Sequence, residues 1–238
     1  MKLAFISDIH GNAVALEAVL NDIKEKDFDK VFVLGDICYR GPEPQRALDL
    51  VRDLDCEVIK GNADEWVVRG VQQGEVPDHA IEIMNKERDW IVSHLSHESV
   101  EYLRELPTQL NLEVEGVRIH AFHPTPDSLF DVVLPDASDD KILENLVTKK
   151  ADLYIYAHIH KPYTRFVNGK CIVNIGSVGL PFDGVKKASY CIVEINKGSI
   201  LTSNVRVSFD VQKVVDQYKK VEYPNAEMMS NVILNGRL

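Results

Sequence analysis

The sequence predicts an α/β protein in which two mixed β-sheets pack face to face and helices flank both, a layered α-β-β-α sandwich. Three observations lead to this prediction. The first half of the chain alternates short apolar runs with amphipathic helical patterns, which is typical of βαβ units. The second half is rich in hairpin patterns. With 238 residues, 45% of them hydrophobic, the chain can bury a substantial core as one domain.

The first half contains three predicted strands, over residues 3–6, 31–34 and 57–59. The helix between the first two is predicted to begin near Asn12. Its apolar side chains recur every three or four positions, at Ala13, Leu16, Val19, Leu20 and Ile23. The helix before the third strand follows Pro42 and Pro44, since proline is favoured in the first turn.

Residues 63–106 follow a mostly helical pattern, in which Ser96 or Ser99 would cap the last helix. We interpret this segment as a helical insertion, or a lid, within the single domain. Two strands are then predicted within residues 110–122, and a helix over residues 139–148. The remaining predicted strands cover residues 153–156, 164–167, 170–173, 189–194 and 201–207. The tail from residue 211 is predicted to form one or two helices, capped by Asp210.

Charge and cysteine content exclude several classes of protein. The chain has 27 Lys and Arg against 37 Asp and Glu, a formal net charge of −10, so a surface that coats nucleic acid is not expected. Its four cysteines lack any CxxC spacing, which favours free thiols and a cytoplasmic location. The N-terminal apolar run is too short for a signal peptide, and no stretch approaches the roughly 18 apolar residues of a membrane span.

Metal-binding residue types follow the predicted strands one after another. They are Asp8 and His10, Asp36, Asn62, His123, and the pair His158 and His160. Any one of these motifs is common without a metal. Five such clusters, each at a predicted strand-to-loop junction, indicate a shared site, because ligand sites in open α/β sheets lie beyond the carboxyl ends of strands. Glycines precede Asp36 and Asn62, which allows close backbone approach.

Mixed Asp, Asn and His ligation suits first-row transition metals rather than calcium alone or thiolate-bound zinc. A carboxylate shared by two ions would give a dinuclear centre. Such centres are suited to hydrolysis of phosphate esters, since the two ions hold phosphoryl oxygens and lower the pKa of a bridging water.

These residues resemble the calcineurin-like metallophosphoesterases over most of the chain. The motifs of that family correspond to Asp8-Ile9-His10, Gly35-Asp36, Gly61-Asn62-Ala63-Asp64, His123 and Ala157-His158-Ile159-His160. A later match is the segment Asn174-Ile175-Gly176-Ser177-Val178-Gly179-Leu180-Pro181. Within the family, the sequence is most similar to bacterial phosphodiesterases related to diadenosine tetraphosphate hydrolases.

The resemblance implies the fold described above and a specific assignment of ligands. One ion would be held by Asp8, His10, Asp36 and His160. The other would be held by Asp36, Asn62, His123 and His158, so that Asp36 bridges the two. The family's usual metals are manganese, iron or zinc. The implied reaction is attack on phosphorus by a hydroxide that bridges the ions.

The sequence departs from the family pattern most consequentially at Ala63, where many members carry a histidine that protonates the leaving group or holds a phosphoryl oxygen. Without it, substrates with good leaving groups are favoured, namely certain diesters and nucleoside polyphosphates. Asp64 is a candidate replacement as a base, and it is also a carboxylate at a helix N-terminus, which the helix dipole favours. Ala157 replaces a family glycine, which should matter little if its backbone φ is negative.

For the substrate we expect a small phosphorylated molecule, favouring a nucleotide. Arg40 is the best additional candidate for phosphate binding, since guanidinium binds phosphate through two hydrogen bonds. Asn62 and His123 would contribute as well, and Asp36, Asn62 and Asp64 form the predicted catalytic set. The glycine-containing segment 176–179 is either a phosphate-binding loop or a plain turn. A nucleotide or protein phosphomonoesterase and a catalytically silent metal-binding module remain the alternatives; neither a membrane nor a stable nucleic-acid partner is expected.

Overall fold

The computed structural model describes residues 1–238. The first of its two sheets contains strands from both halves of the chain. The strands are β1 (Lys2–Ile6), β2 (Lys30–Val33), β3 (Glu57–Val58), β9 (Ala188–Asn196) and β10 (Ser199–Val207). Their spatial order is β10-β9-β1-β2-β3. β1, β2 and β3 are parallel, whereas β9 pairs antiparallel with both β1 and β10. The sheet is therefore mixed, as predicted.

The second sheet is also mixed and has the spatial order β4-β5-β6-β8-β7. Its strands are β4 (Gln109–Val114), β5 (Val117–Phe122), β6 (Leu153–Tyr156), β7 (Tyr163–Val167) and β8 (Lys170–Asn174). β5, β6 and β8 are parallel, and the two outer strands are antiparallel to their neighbours. A tight turn at Asn168 and Gly169 joins β7 to β8 as a hairpin, and both turn residues have positive φ, as this sequence of turn residues favours.

The helices cover the outer faces of both sheets. They are α1 (Ala13–Glu25), α2 (Pro44–Arg52), α3 (Asn62–Arg69), α4 (Asp78–Ser93), α5 (His97–Glu105), α6 (Asp139–Leu146), α7 (Val211–Lys220) and α8 (Ala226–Asn235). Asn12 caps α1, since its Oδ1 accepts a hydrogen bond from the Ala15 amide at 3.0 Å. Ser96 rather than Ser99 caps α5, by accepting from the Ser99 amide at 3.1 Å. None of these helices has the length and apolar character needed to cross a membrane.

Three apolar clusters hold these layers together. Seventeen buried residues from strands of both sheets and the adjoining segments form the cluster between the sheets. Alternation along β1 explains this arrangement, because Leu3 and Phe5 enter that cluster whereas Ala4 and Ile6 enter the cluster shared with the helices. The Phe5 ring stacks on Phe32 of β2 at a centroid distance of 4.8 Å. The third cluster packs α6 on the outer face of the second sheet. The predicted α-β-β-α sandwich is thus confirmed.

Three of these helices, α3, α4 and α5, occupy the predicted helical insertion. α3 begins at Asn62 itself, so the amide candidate lies in the first helical turn rather than in the preceding loop. Helix α3 contacts both α4 and α5. Whether the segment moves as a lid stays a prediction.

Candidate metal centre

The chain segments after β1, β2, β3, β5 and β6 bring all seven predicted ligands together. The donor atoms of Asp8, His10, Asp36 and His160 lie within 4.8 Å of one another, and so do those of Asp36, His123 and His158. Asn62 joins the second group, because its Oδ1 is 3.1 Å from His123 Nε2 and 2.8 Å from His158 Nδ1. Asp36 belongs to both groups, as a bridging ligand must.

Backbone conformation aims these side chains at one point. Five of the seven ligands have positive φ, which is uncommon for residues other than glycine: Asp8 (53°), His10 (49°), Asp36 (55°), His158 (70°) and His160 (55°). Hydrogen bonds between the loops after β1 and β2 hold these strained residues, including His10 amide to Asp36 carbonyl at 2.9 Å. Such strain is typical of functional sites, where the surrounding structure has to enforce it.

Three histidines have their Nδ1 atoms fixed by backbone carbonyls. His10 Nδ1 lies 2.8 Å from the Tyr39 carbonyl, His123 Nδ1 lies 2.6 Å from the Leu34 carbonyl, and His160 Nδ1 bonds to the Leu180 carbonyl. A carbonyl only accepts, so Nδ1 carries a proton in each ring, and the neutral form of each ring therefore has its lone pair on Nε2. This is the usual outer hydrogen bond of a metal-binding histidine.

The donor atoms are arranged as a cation requires. His10 Nε2 and His160 Nε2 are 3.1 Å apart, so two lone pairs of neutral rings face each other. Asp8 Oδ1 is fully buried and accepts no hydrogen bond, although His160 Nε2 lies 2.9 Å away. Two ligands on one ion at about 2.1 Å lie about 3 Å apart when they bind at right angles. The residues present therefore fit a bound transition-metal ion.

Electrostatics in the site favour an anionic Asp36 and neutral rings for His10 and His158, but a positive charge at His123. Burial raises the pKa of Asp36, but the neighbouring histidines, His123 first, lower it well below the usual range. Burial lowers the pKa of His10 and of His158 to about 4. For His123 the effect of burial is outweighed by Asp36 and Asp8, which raise its pKa to about 9. The carboxylates thus draw positive charge into the site.

The late glycine-containing segment is a turn that supports the first ligand loop, not a phosphate-binding loop. The amides of Val178 and Gly179 donate to the carbonyls of Ser7 and Asp8 at 3.0 and 2.9 Å. The Ser177 hydroxyl donates to the Asp8 carbonyl at 2.8 Å. Because these donors are used within the protein, they are not free for a ligand.

Asp64 is completely buried and serves the ligand loops through three backbone bonds. It accepts from the amides of Asp36 at 2.7 Å, Ile37 at 2.9 Å and Gly61 at 2.9 Å. Burial, followed by the charge of Asp36, raises the pKa of Asp64 to about 7. Of the two roles the sequence left open, this geometry favours the carboxylate at a helix N-terminus, which orients Asp36.

Asp64→Asn is expected to lower the free energy of unfolding by about 2 kcal/mol, since one amide group cannot accept all three bonds. Urea unfolding measures this, with the exposed Asp78→Asn in the first turn of α4 as the matched control. A normal stability combined with the loss of one limb of the pH–rate profile would instead make Asp64 a catalytic base.

Neither Ala63 nor Ala157 disturbs the local backbone. Ala63 is fully buried in the core beneath the first sheet, and its amide donates to Asp36 Oδ1 at 2.8 Å. Ala157 does not adopt a positive φ, so the condition stated for its replacement of glycine is met. The position of the family's histidine is therefore filled by a methyl group that does not line the site.

A cavity of about 460 Å³ opens on the candidate metal ligands, within the range of about 300–1,000 Å³ found for small-molecule sites. Its walls include His10, Asp36, Asn62, His158 and His160, together with apolar side chains from α4 and from the segment after the turn. Among the lining residues that were not predicted from the sequence are His79 and Phe182. His79 has no periodicity that marks it, and Phe182, which stacks on His160 at 4.2 Å, could have been suspected only from its place after the late motif.

The candidate phosphate-binding residue Arg40 also lines this cavity. Its Nε atom is 3.3 Å from Glu87 Oε2, and its side chain is 18% exposed. Trp66 lines the cavity as well, although it is 8% exposed and packs against Tyr39 and Phe130. Its environment is that of a core residue, so it offers little free surface for stacking on a base.

Comparisons with known proteins agree with this site. The sequence pattern of the calcineurin-like phosphoesterase superfamily domain matches residues 1–198. An uncharacterized protein of Methanocaldococcus jannaschii is 33% identical over 257 aligned positions, covering 99% of this chain and 98% of that protein. A metallophosphoesterase from Sphaerobacter thermophilus has a similar structure, with a TM-score of 0.80 and 26% identity over 99% of both chains.

A hypothetical protein from Pyrococcus horikoshii shares the fold, with a TM-score of 0.85 at 24% identity over 99% of this chain and 98% of that one. The convergent Asp, Asn and His side chains, the two-sheet architecture and the match to residues 1–198 lead to one conclusion. This chain is a member of the calcineurin-like phosphoesterase superfamily.

Proposed function

We propose that the protein is a phosphohydrolase that depends on two metal ions and cleaves phosphodiesters or dinucleoside polyphosphates such as diadenosine tetraphosphate. The observation that carries the proposal is the double use of Asp36. Its Oδ2 lies 3.6 Å from His10 Nε2 in one ligand group and 3.3 Å from His123 Nε2 in the other. Manganese, iron and zinc all suit this set of oxygen and nitrogen donors.

When bound, the ions would hold phosphoryl oxygens and lower the pKa of the attacking water. The chain's own residues position the ions and the substrate phosphate. Asp8, His10, Asp36 and His160 would hold one ion, and Asp36, Asn62, His123 and His158 the other. Arg40 is positioned in the cavity wall to bind a nonbridging phosphate oxygen. The Ala63 amide donates to Asp36 Oδ1, and the Asp64 carboxylate accepts from the Asp36 amide. Together these two hydrogen bonds keep the Asp36 carboxylate in place.

Two features support the choice of substrate class. Ala63 places no proton donor beside Asn62, so leaving groups that depart as weak bases are favoured. The apolar part of the cavity wall, which includes Met84, Leu180 and Phe182, suits a substrate with an apolar or aromatic portion such as a nucleobase. The net charge of −10 disfavours long nucleic acids as substrates.

The test compares initial rates on bis(p-nitrophenyl) phosphate, p-nitrophenyl phosphate and diadenosine tetraphosphate with manganese-loaded protein. We expect turnover that a chelator removes, with preference for the diester or the dinucleotide. A preference for the monoester would overturn the substrate class and favour the phosphomonoesterase alternative. Absence of turnover by protein with bound metal would favour a silent metal-binding module.

His79 allows a separate test of whether the protein protonates the leaving group, because it is the one cavity-lining imidazole outside the proposed ligands. If leaving groups depart without protonation, His79→Gln should change the rate on bis(p-nitrophenyl) phosphate less than about twofold, since general acid help is worth far more where it operates, about 10²–10⁴-fold. A larger loss, growing with the pKa of the leaving group in a series of aryl esters, would make His79 the proton donor.

A further inference from the structure

We infer that Glu87 is a positioning residue whose buried carboxylate holds the guanidinium of Arg40 in the cavity wall, where it receives a phosphate oxygen of the substrate. The inference rests on the proposed function, because it gives Arg40 its substrate. Glu87 lies in the middle of α4, on a helix that the sequence marked only as part of an insertion. It is 0% exposed, and its Oε2 lies 3.3 Å from Arg40 Nε.

Stability alone gives a poor account of this pair. A buried ion pair is often no more stable than apolar residues of similar size, because both charges lose their hydration. The cost is greater here, since Glu87 Oε1 is buried and accepts no hydrogen bond. The buried Glu87 carboxylate is therefore better explained by its contact with the Arg40 guanidinium than by a contribution to the free energy of folding.

The geometry of Arg40 shows what is held in place. Its Nε donates to Glu87, its one carboxylate partner, and the Tyr39 hydroxyl is the other polar side-chain group beside it, so the two Nη groups are not taken up by a second carboxylate. The same side chain lines the cavity with five of the proposed metal ligands. The paired Nη groups of a guanidinium match the oxygens of a phosphate and bind them through two parallel hydrogen bonds.

Further contacts fix the backbone of Arg40 against the helices. Arg40 has a φ of 73°, a conformation that needs support in a residue other than glycine. The Tyr218 hydroxyl of α7 donates to the Arg40 carbonyl at 2.6 Å. The preceding residue is tied to α4, since the Tyr39 hydroxyl donates to the Met84 carbonyl at 2.8 Å. α4 therefore holds both residues that follow the Asp36 loop, and Glu87 adds the bond that orients the charge.

The experiment is a double-mutant cycle with Glu87→Met and Arg40→Met on metal-loaded protein. The measurements are KM for bis(p-nitrophenyl) phosphate, binding of inorganic phosphate by calorimetry, and metal content. Glu87→Met should raise KM and weaken phosphate binding by about tenfold in the wild-type background, as expected for loss of an oriented charged hydrogen bond. In the Arg40→Met background it should have no further effect. Metal content should stay unchanged.

Two further variants keep the test decisive. Glu87→Gln retains size and one acceptor, so it should fold even if Glu87→Met does not, and it should show a smaller effect of the same kind. Glu82→Gln, on the exposed face of the same helix, should behave as wild type. Equal effects of Glu87→Met in both backgrounds, or unchanged phosphate binding, would overturn the inference. If wild-type protein shows no turnover, the proposed function fails, while phosphate binding still tests Glu87.

Discussion

Asp36→Asn is expected to reduce metal-dependent hydrolysis by about a thousandfold or more, because a metal site supplies several kcal/mol of transition-state stabilisation and each about 1.4 kcal/mol is a factor of ten. Asp36 is shared by both ligand groups, so its neutralisation weakens both. The fold should persist, since the amide oxygen of asparagine can still accept from the Ala63 amide. Initial rates on bis(p-nitrophenyl) phosphate and metal content by mass spectrometry measure the effect.

The matched control is Asp53→Asn, which neutralises an exposed carboxylate just after α2. It should retain wild-type activity and metal content. Cooperative thermal unfolding of Asp36→Asn would show that the loss is local to the site. An Asp36→Asn protein that keeps two bound ions and most of its activity would contradict the proposed bridging role and, with it, the ligand assignment.

Gly35→Ala should have the largest effect on folding, about 4 kcal/mol, which places it among the exceptional single substitutions. A Cβ at this position would lie 2.3 Å from the Gly61 amide nitrogen, and Gly35 has a φ of 90°. The clash is with backbone, which cannot swing aside as a long side chain would. It would separate the loops that carry Asp36 and Asn62, so metal affinity should fall together with stability.

Gly116→Ala is the control that separates the cost of a left-handed backbone conformation from the cost of a steric clash. Gly116 has a φ of 79° in the β4–β5 turn, but a Cβ there would meet nothing within 4 Å. We expect about 1 kcal/mol of destabilisation from the left-handed conformation alone, with normal metal binding. Urea unfolding of both variants measures the difference. Equal losses would mean that close packing of the two ligand loops contributes nothing to the cost.

The ligand set could be predicted because its causes are local. Each ligand follows a short apolar strand in the chain, and parallel strands bring their carboxyl ends to one edge of a sheet. The glycines before Asp36 and Asn62 predicted a close approach of the backbone at these positions. In the structure, Gly35 and Gly61 lie against each other, so that neither has room for a side chain. The resemblance to a family added the assignment of ligands to two ions, which stays a prediction; the structure brings the donor atoms into two groups that share Asp36.

The surroundings of the site could not be predicted in the same way. Asp64, the segment 176–179 and Ala157 each allowed two interpretations, and backbone hydrogen bonds or φ angles were needed to choose between them. Glu87 lies 47 positions from Arg40 in the chain, and no periodicity relates them. His79 and Phe182 reach the cavity only through the packing of α4 and of the segment after the turn.

By itself, the sequence determined the layered α/β architecture and the seven metal-ligand candidates, because strand periodicity and residue type at strand ends act over a few neighbouring residues. Only the tertiary structure decided the surroundings of the candidate metal site. These are the Nδ1 protons of three histidines, the Asp8 oxygen without a hydrogen bond, and the contact of Arg40 with a buried glutamate. These depend on contacts between segments far apart in the chain. Hydrogen-bond direction and burial, which set lone pairs and charges, exist only once those segments have packed.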